Sequence, residues 1–318
     1  MLSIIFEKYR KFISNNLYVY KSCKQYIIIL KKLYNTITNE NRKGIINADY
    51  AKYRGNRFEV ILIFNKFNPD EMLNEILTEY QNKKVVYTTG KIVTPDYYDC
   101  DMNNICSNGI HYYKTIEQAY YHDIEAHAIN YTGVIKEWFH NGKKIKEINL
   151  KEGHRHGLAK YWYDVGGRSL EINYSNGMRH GTYKEWYRDG MLACQSEYKN
   201  NLLDGSSTCF YMNGKKESQY TYEKGKRVGV GREWHVNGNV KIEGIYVNDV
   251  RIGVWTEWYE NGNKKYIGTY VDNLKNGLWT FYHDDETPSA EGIYRFDVPI
   301  GKWSYWTKNG IQYDYIME

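Results

Sequence analysis

The chain has 318 residues, of which 42% are hydrophobic and 25% charged, so it can build packed cores and is not a wholly disordered protein. Its net charge of +5 is too small for the general basic field of a nucleic-acid-binding protein, and we expect no nucleic-acid partner. The apolar runs are too short to cross a bilayer and no secretion signal is evident, so we expect no transmembrane segment.

Cysteine usage predicts an intracellular, reducing compartment such as the cytoplasm. The cysteines are odd in number, irregularly spaced and without a Cys-x-x-Cys pair: Cys23, Cys100, Cys106, Cys194 and Cys209. The abundance of Asn, Ile, Lys and Tyr beside only four prolines suggests an AT-rich genome, compatible with a large DNA virus. In that case the compartment is the host cytoplasm.

Residues 1–45 form the first predicted segment, which is basic and apolar. Residues 1–43 contain nine Lys or Arg and two Glu, a local charge of +7. Tyr26, Leu30, Leu33 and Ile37 fall on one helical stripe, which predicts an amphipathic helix. Such helices bind anionic membrane surfaces or partners. We favour the plainer interpretation, in which the helix packs on the next domain and exposes its basic face.

Residues 46–130 are predicted to form a small α/β domain. Apolar runs predict strands at 58–64, 85–87, 92–93 and 110–113. The sequence Asn68-Pro69-Asp70-Glu71 is typical of a helix start, and the buried stripe of that helix would comprise Met72, Leu73, Ile76, Leu77 and Tyr80. A capping box at 115–118 predicts a second helix.

Cys106 and His111 are the one pair in this domain that suggests catalysis. A thiol becomes a nucleophile when an imidazole lies within hydrogen-bonding reach, and the two residues are close in sequence. In a strand His111 shares a face with Tyr113, so we favour a hydrogen-bonded structural histidine. No nucleotide-binding glycine motif and no other catalytic set is evident, and we expect no cofactor.

Residues 131–318 contain a 24-residue repeat in eight copies. A lattice glycine begins each copy, at Gly133, Gly157, Gly181, Gly205, Gly229, Gly253, Gly277 and Gly301. Five residues later an aromatic follows, at Trp138, Trp162, Trp186, Phe210, Trp234, Trp258, Tyr282 and Trp306. Nine residues after the lattice glycine most copies have a second glycine preceded by Asn or Asp, which predicts a two-residue type I′ hairpin turn. Each copy is therefore predicted to be a β-hairpin.

Large side chains occur on both faces of these strands, as Trp258 and Tyr259 illustrate. A sandwich would leave one face polar, so the pattern predicts a mainly β fold: an elongated, twisted, single-layer antiparallel sheet of about eight hairpins. The lattice glycine is expected to adopt an unusual φ and to leave room for a neighbouring aromatic ring.

Two segments carry a resemblance to a known family. Tyr174-Ser175-Asn176-Gly177-Met178-Arg179-His180-Gly181 and the stretch 246–255 resemble the MORN repeat, whose core is Tyr, then Asn-Gly, then basic-His-Gly. The added hairpin is similar to the longer variant of bacterial antitoxin-like proteins and large DNA viruses. The segment around Cys106 resembles a module that precedes such arrays in viral proteins. The resemblance implies an elongated array that contacts proteins or lipid surfaces and has no catalytic residues.

The array also contains a cation column, formed by Arg155, Arg179, Arg227, Arg251 and Lys275. It could meet an acidic partner or an anionic membrane, or serve only to keep the sheet soluble. His154, His156 and His180 lie close in sequence, but the period explains two of them, and we expect no metal site.

The leading hypothesis is a non-enzymatic scaffold that binds one or more protein partners, as yet unknown. The alternative is a peripheral protein that binds anionic membranes through the N-terminal segment and the cation column. A third and less favoured hypothesis is an enzyme that uses Cys106 and His111.

Overall fold

The computed structural model describes residues 1–80, 83–127 and 129–317. Strands make up 56% of the chain and helices 6%, so the prediction of a mainly β protein built from successive antiparallel hairpins is confirmed. The chain divides into two compact units, residues 1–167 and 168–318.

Unit 1 begins with an antiparallel sheet and four short helices. Its helices are α1 (Leu2–Lys8), α2 (Arg10–Ile13), α3 (Ile116–Tyr121) and α4 (Ile124–His127). The first strands are β1 (Tyr18–Cys23), β2 (Tyr26–Lys32), β3 (Lys52–Gly55), β4 (Phe58–Asn65) and β5 (Met72–Leu73). They are followed by β6 (Glu75–Tyr80), β7 (Lys83–Thr88), β8 (Ile92–Val93) and β9 (Ile110–Tyr113). The N-terminal sheet has the order β3-β9-β1-β2-β4-β5, with β8 also paired to β4, and β6 and β7 form a separate hairpin.

The predicted amphipathic helix over residues 26–37 is wrong. Tyr26–Lys32 is strand β2, which lies between β1 and β4 in the sheet. Ile27, Ile28, Ile29 and Leu30 are all fully buried, so both faces of the strand are covered. Four consecutive buried residues suit a central strand, whereas a surface helix would expose some of them. Helix in this segment is limited to α1 and α2.

The helix predicted after Asn68-Pro69 is also wrong. A turn closes there, where Glu71 N donates to Asn68 O at 3.0 Å. Residues 72–73 then pair with β4, and 75–80 pair with 83–88. Ile76 packs against the core that contains Tyr87, so tertiary packing outweighs the local helix signal. The side chain of Tyr80, assigned to the helical stripe, lies outside what the structure describes.

The other elements of this domain form where they were predicted. Strands occupy the four predicted positions, as β4, β7, β8 and β9. The capping box opens α3, where the Thr115 side chain accepts a hydrogen bond from Gln118 N. The helices of residues 46–130 are short, so this domain is mostly an antiparallel sheet rather than an α/β fold with long helices.

The remaining strands of unit 1 belong to the first repeats. They are β10 (Gly133–Trp138), β11 (Lys144–Lys151), β12 (His154–Arg155) and β13 (Gly157–Trp162). The β10–β11 hairpin contacts residues 46–52. Ile46 N and Asn47 N donate to Asn141 O at 2.9 and 3.0 Å. Tyr50 stacks on Trp138 with centroids 4.8 Å apart. A Cβ at Gly142 would lie 2.0 Å from Asn47 O, so this contact requires glycine.

Unit 2 is an antiparallel sheet of thirteen strands in sequence order. They are β14 (Arg168–Ser175), β15 (Met178–Trp186), β16 (Leu192–Lys199), β17 (Leu202–Phe210), β18 (Lys216–Glu223), β19 (Lys226–Trp234), β20 (Val240–Val247), β21 (Val250–Trp258), β22 (Lys264–Val271), β23 (Leu274–Tyr282), β24 (Pro288–Arg295), β25 (Val298–Trp306) and β26 (Gln312–Met317). Each copy therefore supplies two neighbouring strands.

The type I′ turn occurs at the loop opposite the predicted one. At the second-glycine position only the glycine has positive φ, as at Gly190 (93°). The pairing between the two strands that the turn joins shifts register next to the turn. That is a type I turn with a glycine bulge. The other loop has positive φ at both central residues, as at Asn248 (52°) and Asp249 (70°), which is the I′ signature. Asn and Asp tolerate this conformation, so glycine is dispensable there.

Candidate interaction surface

All eight lattice glycines have positive φ, from 65° at Gly301 to 149° at Gly133. At Gly229, Gly253, Gly277 and Gly301 an added Cβ would meet no atom within 4 Å. The expectation that these glycines make room for an aromatic ring is therefore wrong in the last four copies. They serve backbone conformation, because an L side chain is strained at such φ values.

A different glycine column makes room for aromatic rings, and sequence analysis missed it. Added Cβ atoms at Gly244, Gly268 and Gly292 would lie 2.1 Å from the rings of Trp255, Trp279 and Trp303. The two residues of each pair lie on adjacent strands, and Gly268 and Trp279 are direct register partners between β22 and β23. The signal was available: these glycines recur every 24 residues, as do the tryptophans two residues after the lattice glycine.

These tryptophans belong to an aromatic row on one face of strands β20–β25. The row comprises Tyr246, Trp255, Tyr270, Trp279, Tyr294 and Trp303. Successive rings meet edge to face with centroids 4.9 to 6.0 Å apart. The three tryptophans are at most 3% exposed. The row is therefore the core of this single-layer sheet, and its rings are already packed against one another.

The cation column lies against tyrosine rings. Its guanidinium groups stand over Tyr198, Tyr246 and Tyr270 at 4.5, 4.2 and 4.1 Å from the ring centroids, and Lys275 Nζ stands 4.9 Å from the Tyr294 centroid. The first member, Arg155, forms an ion pair with Glu125 at 3.1 Å. Burial raises the pKa of Tyr246, while Arg227 and Arg251 oppose that rise. These cations therefore contribute to the internal packing of the repeats.

The tryptophans of the predicted column are all half-buried: Trp138, Trp162, Trp186, Trp234, Trp258 and Trp306. A β-bulge lies beside four of them, Trp138, Trp186, Trp234 and Trp258. Lysine amines cover two of these rings, Lys144 over Trp162 and Lys216 over Trp234.

The residue after this column forms a ladder of hydrogen bonds along unit 2. Tyr187, Tyr211, His235, Tyr259 and His283 each donate to the main-chain carbonyl 23 residues ahead, at 2.7 to 2.9 Å. The acceptors are the carbonyls of Phe210, Trp234, Trp258, Tyr282 and Trp306. Each rung thus gives a main-chain carbonyl of the next copy a side-chain donor.

The opposite face of unit 2 exposes an aliphatic stripe, defined by Val230, Ile245, Val254, Leu278 and Ile293. Four of these residues come directly before a residue of the aromatic row, so their side chains point to the other face of the sheet. The fifth, Val230, pairs with Ile245 on the neighbouring strand and shares its face. The five side chains are 41–57% exposed. They cross six strands, a span of about 24 Å at 4.8 Å per strand. The Arg232–Glu243 ion pair and the Thr280–Glu291 hydrogen bond flank the stripe.

The structure does not bring Cys106 and His111 together as a hydrogen-bonded pair. His111 Nε2 donates to Ile105 O at 3.0 Å, and Cys106 Sγ lies 3.9 Å from His140 Nδ1. Burial, reinforced by Lys52, lowers the pKa of His111 to about 4, so its ring is neutral near pH 7. The loop itself is fastened by the fully buried Arg54, whose Nε donates to Asn104 O at 2.7 Å. His111 thus supports this loop.

Cys194 and Cys209 face each other across β16 and β17 and form a disulfide. Cys23, Cys100 and Cys106 are free thiols. The reducing compartment remains a prediction, and in it this pair would be present as thiols. Among residues 1–80, 83–127 and 129–317, no group of three or more His, Cys, Asp or Glu could hold a metal ion. None of the described helices is long and apolar enough to span a membrane.

Two stretches of unit 2, residues 179–200 and 251–272, match the family described as "MORN repeat variant". The chain is a MORN repeat-containing protein. Each matched MORN stretch begins at a member of the cation column, Arg179 or Arg251, and ends in the following type I′ turn. Residues 8–119 match a "family of unknown function (DUF5758)". No curated protein matches this MORN repeat protein.

Among solved structures, the MORN repeat protein is similar to two crystal structures of TarM. One is a S. aureus TarM mutant in complex with fondaparinux, alpha-GlcNAc-glycerol and UDP, at 18% identity and a TM-score of 0.21 over 30% of this chain and 19% of that chain. The other is also 18% identical with a TM-score of 0.21, over 41% of this chain and 22% of that chain. The MORN repeat protein thus spans about a fifth of each TarM chain.

Proposed function

We propose that this protein is a non-enzymatic scaffold that binds a protein partner, and that the aliphatic stripe is its docking surface. The observation that carries the proposal is the exposure of five aligned aliphatic side chains on a sheet whose other face is packed on itself. Isolated exposed apolar residues are ordinary, but an aligned row with a polar rim is typical of interaction sites.

The partner we propose presents an amphipathic α-helix. A helix rises 1.5 Å per residue, so about 16 residues match the 24 Å length of the stripe. Its apolar face would cover the stripe, and its polar flanks would meet the charged groups around Arg232 and Glu243. The proposed docking surface is therefore the face opposite the aromatic row.

Anionic membrane binding remains the alternative, but the contacts of the relevant cations do not favour it. The cation column stacks on tyrosine rings, and in the N-terminal segment Lys8, Lys31 and Lys32 pair with Asp70, Glu59 and Glu40. An enzyme using Cys106 and His111 has less support, because the His111 Nε2 proton is committed to Ile105 O.

The test is affinity capture from native cytoplasm with the full chain and two double variants. Val254→Lys with Leu278→Lys places charges on the stripe. Met212→Lys with Val236→Lys is the matched control, because these residues are 64% and 53% exposed but lie in the turns. We expect a defined protein to be recovered with wild type and control and at least about 10-fold less with the stripe variant.

Cross-linking followed by mass spectrometry should place that protein next to strands β19–β24. Equal recovery with the stripe variant would refute the proposed surface. Liposomes containing phosphatidylserine are run in parallel: salt-sensitive co-sedimentation of the full chain, without a protein partner, would replace the scaffold proposal with the membrane alternative.

A further inference from the structure

Two exposed thiols lie in one loop of unit 1, but their surroundings differ. Cys100 and Cys106 are both free and exposed. The guanidinium of Arg54 holds the loop by donating to four of its main-chain carbonyls. Cys100 Sγ lies 3.9 Å from the carbonyl oxygen of Tyr98, whereas Cys106 Sγ lies 3.9 Å from Nδ1 of His140. The second contact places a base beside the sulfur, as in activated thiols.

The main chain of the first hairpin holds His140 beside this thiol. His140 follows strand β10, and its carbonyl oxygen accepts hydrogen bonds from the side chain of Arg42 and from Lys52 N, the latter at 3.3 Å. The imidazole and the thiol are 34 residues apart in sequence, and this docking brings them into contact. Because the hydrogen bonds use the carbonyl of His140, a change of its side chain leaves them in place.

The imidazole of His140 is in the state that accepts a proton. Partial burial, followed by the charges of Lys52, Arg42 and His122, lowers the pKa of His140 below the ordinary histidine value. The ring is therefore neutral near pH 7, and in the tautomer with hydrogen on Nε2 its Nδ1 can accept the Cys106 proton. The neighbouring cations also favour the thiolate once it has formed.

The geometry points to Cys106 as a site of reversible S-thiolation by a low-molecular-weight disulfide, with His140 as its base. His140 Nδ1 takes the thiol proton, and the Cys106 thiolate attacks one sulfur of the disulfide. The S–S bond of the reagent breaks as the new S–S bond forms, and the departing thiolate takes the proton from His140. Cys106 is oxidised and the departing half is reduced, so no further reactant is needed.

The modification is stoichiometric and does not make the protein an enzyme. An excess of free thiol reverses it by the same exchange, which suits the reducing compartment predicted from the sequence. The site belongs to unit 1 and does not depend on the docking surface proposed on unit 2.

The test measures how fast each thiol of the full chain reacts with 2-hydroxyethyl disulfide at pH 7, by acid quenching and peptide mass spectrometry. This reagent is uncharged, so neighbouring charges do not steer its approach. We expect Cys106 to react at least about 10-fold faster than Cys100. Asp99 and Asp101 flank Cys100 and disfavour its thiolate, so a substitution is needed to identify the base.

His140→Gln removes the base and keeps the main-chain hydrogen bonds of the turn. It should slow Cys106 at least about 10-fold at pH 7 and leave Cys100 unchanged. His154→Gln, at an exposed histidine of β12, is the matched control and should change neither rate. At about pH 10 an ordinary thiol is ionised without a base, so the Cys106 rates of wild type and His140→Gln should converge. Circular dichroism establishes that each variant is folded.

Three results would overturn the proposal. One is an equal rate for Cys106 and Cys100 in the wild type, a comparison that stands even if His140→Gln does not fold. Another is an unchanged Cys106 rate in His140→Gln at pH 7. The third is a slower Cys106 rate in that variant that persists at about pH 10, which would mean that the histidine controls access to the thiol rather than its proton.

Discussion

The packing of Trp279 on Gly268 predicts a large penalty for adding one methyl group. An alanine Cβ at residue 268 would lie 2.1 Å from the Trp279 ring, whereas carbon atoms normally approach to about 3.5 Å. Trp279 is fully buried and its Nε1 donates to Thr269 O at 3.1 Å, so the ring cannot move without losing contacts. Overpacking costs about 1–3 kcal/mol and the lost hydrogen bond about 1 kcal/mol, so we expect Gly268→Ala to lower the free energy of unfolding by about 3 kcal/mol.

Gly253→Ala is the matched control in the neighbouring strand. Its φ is 66° and its Cβ would meet no atom within 4 Å, so only the backbone is strained, at a cost of about 1–2 kcal/mol. The Trp279→Ala background tests the mechanism directly. Once the ring is gone, adding Gly268→Ala should cost close to nothing, a coupling of about 3 kcal/mol between the two sites.

Urea unfolding followed by tryptophan fluorescence gives the free energies, and hydrogen exchange shows whether the loss of protection is centred on β22 and β23. Two results would refute the reasoning. The first is an equal cost for Gly268→Ala and Gly253→Ala, and the second is a full Gly268→Ala penalty that persists without the Trp279 ring.

Three further predictions concern other parts of the chain. Gly142→Ala should destabilise the docking of the first hairpin by about 2 kcal/mol more than Gly190→Ala destabilises its own turn. Gly190 is the control because it has a similar φ of 93° and free space around an added Cβ. Hydrogen exchange of the amides around each glycine measures the two effects, and equal effects would contradict the prediction. The pKa of His111 is about 4 in the fold and near 6.5 in the unfolded chain, so stability is complete above about pH 6.5 and falls, by up to about 3 kcal/mol, as the pH drops towards 4. Urea midpoints at pH 7 and 4.5 check this, and an unchanged slope in His111→Gln would exclude His111 as the cause. The Cys194–Cys209 disulfide closes a separation of 15 residues, so its reduction should lower the free energy of unfolding by about 3 kcal/mol. Reductant should therefore shift the urea midpoint of the wild type but not that of the chain with both cysteines replaced by alanine. A wild-type midpoint that does not respond to reductant would argue against the bond.

The repeat could be read from the sequence because its spacing is periodic. The lattice glycine and the aromatic residue five positions later each recur every 24 residues. The glycine marks a position where the backbone conformation leaves little choice of residue. The turn type was assigned to the wrong loop because Asn-Gly suits two structures. It fits a type I′ turn, but it also fits the last two positions of a type I turn that ends in a glycine bulge.

The N-terminal segment could not be predicted because short apolar runs do not distinguish a buried strand from a helix. Ile27–Leu30 is buried on both faces, and only its neighbours β1 and β4 make that possible. The cap-like Asn68-Pro69 failed for a similar reason, since Met72 and Leu73 find strand partners on β4.

The candidate sites were harder to predict from the sequence than the fold. The aliphatic stripe consists of ordinary valine, isoleucine and leucine residues, which are distinguished only by the face on which they lie.

The hydrogen-bond ladder has a consequence for how such a protein changes length over generations. Every rung joins a side-chain donor to a main-chain acceptor 23 residues ahead. Each copy therefore donates to the copy that follows it and accepts from the copy that precedes it. Deleting one entire 24-residue copy from the middle of unit 2 would bring a new donor to an equivalent acceptor. Deleting a single residue would offset every later rung. Recombination between copies is therefore tolerated in whole periods, and small insertions or deletions are confined to the turns.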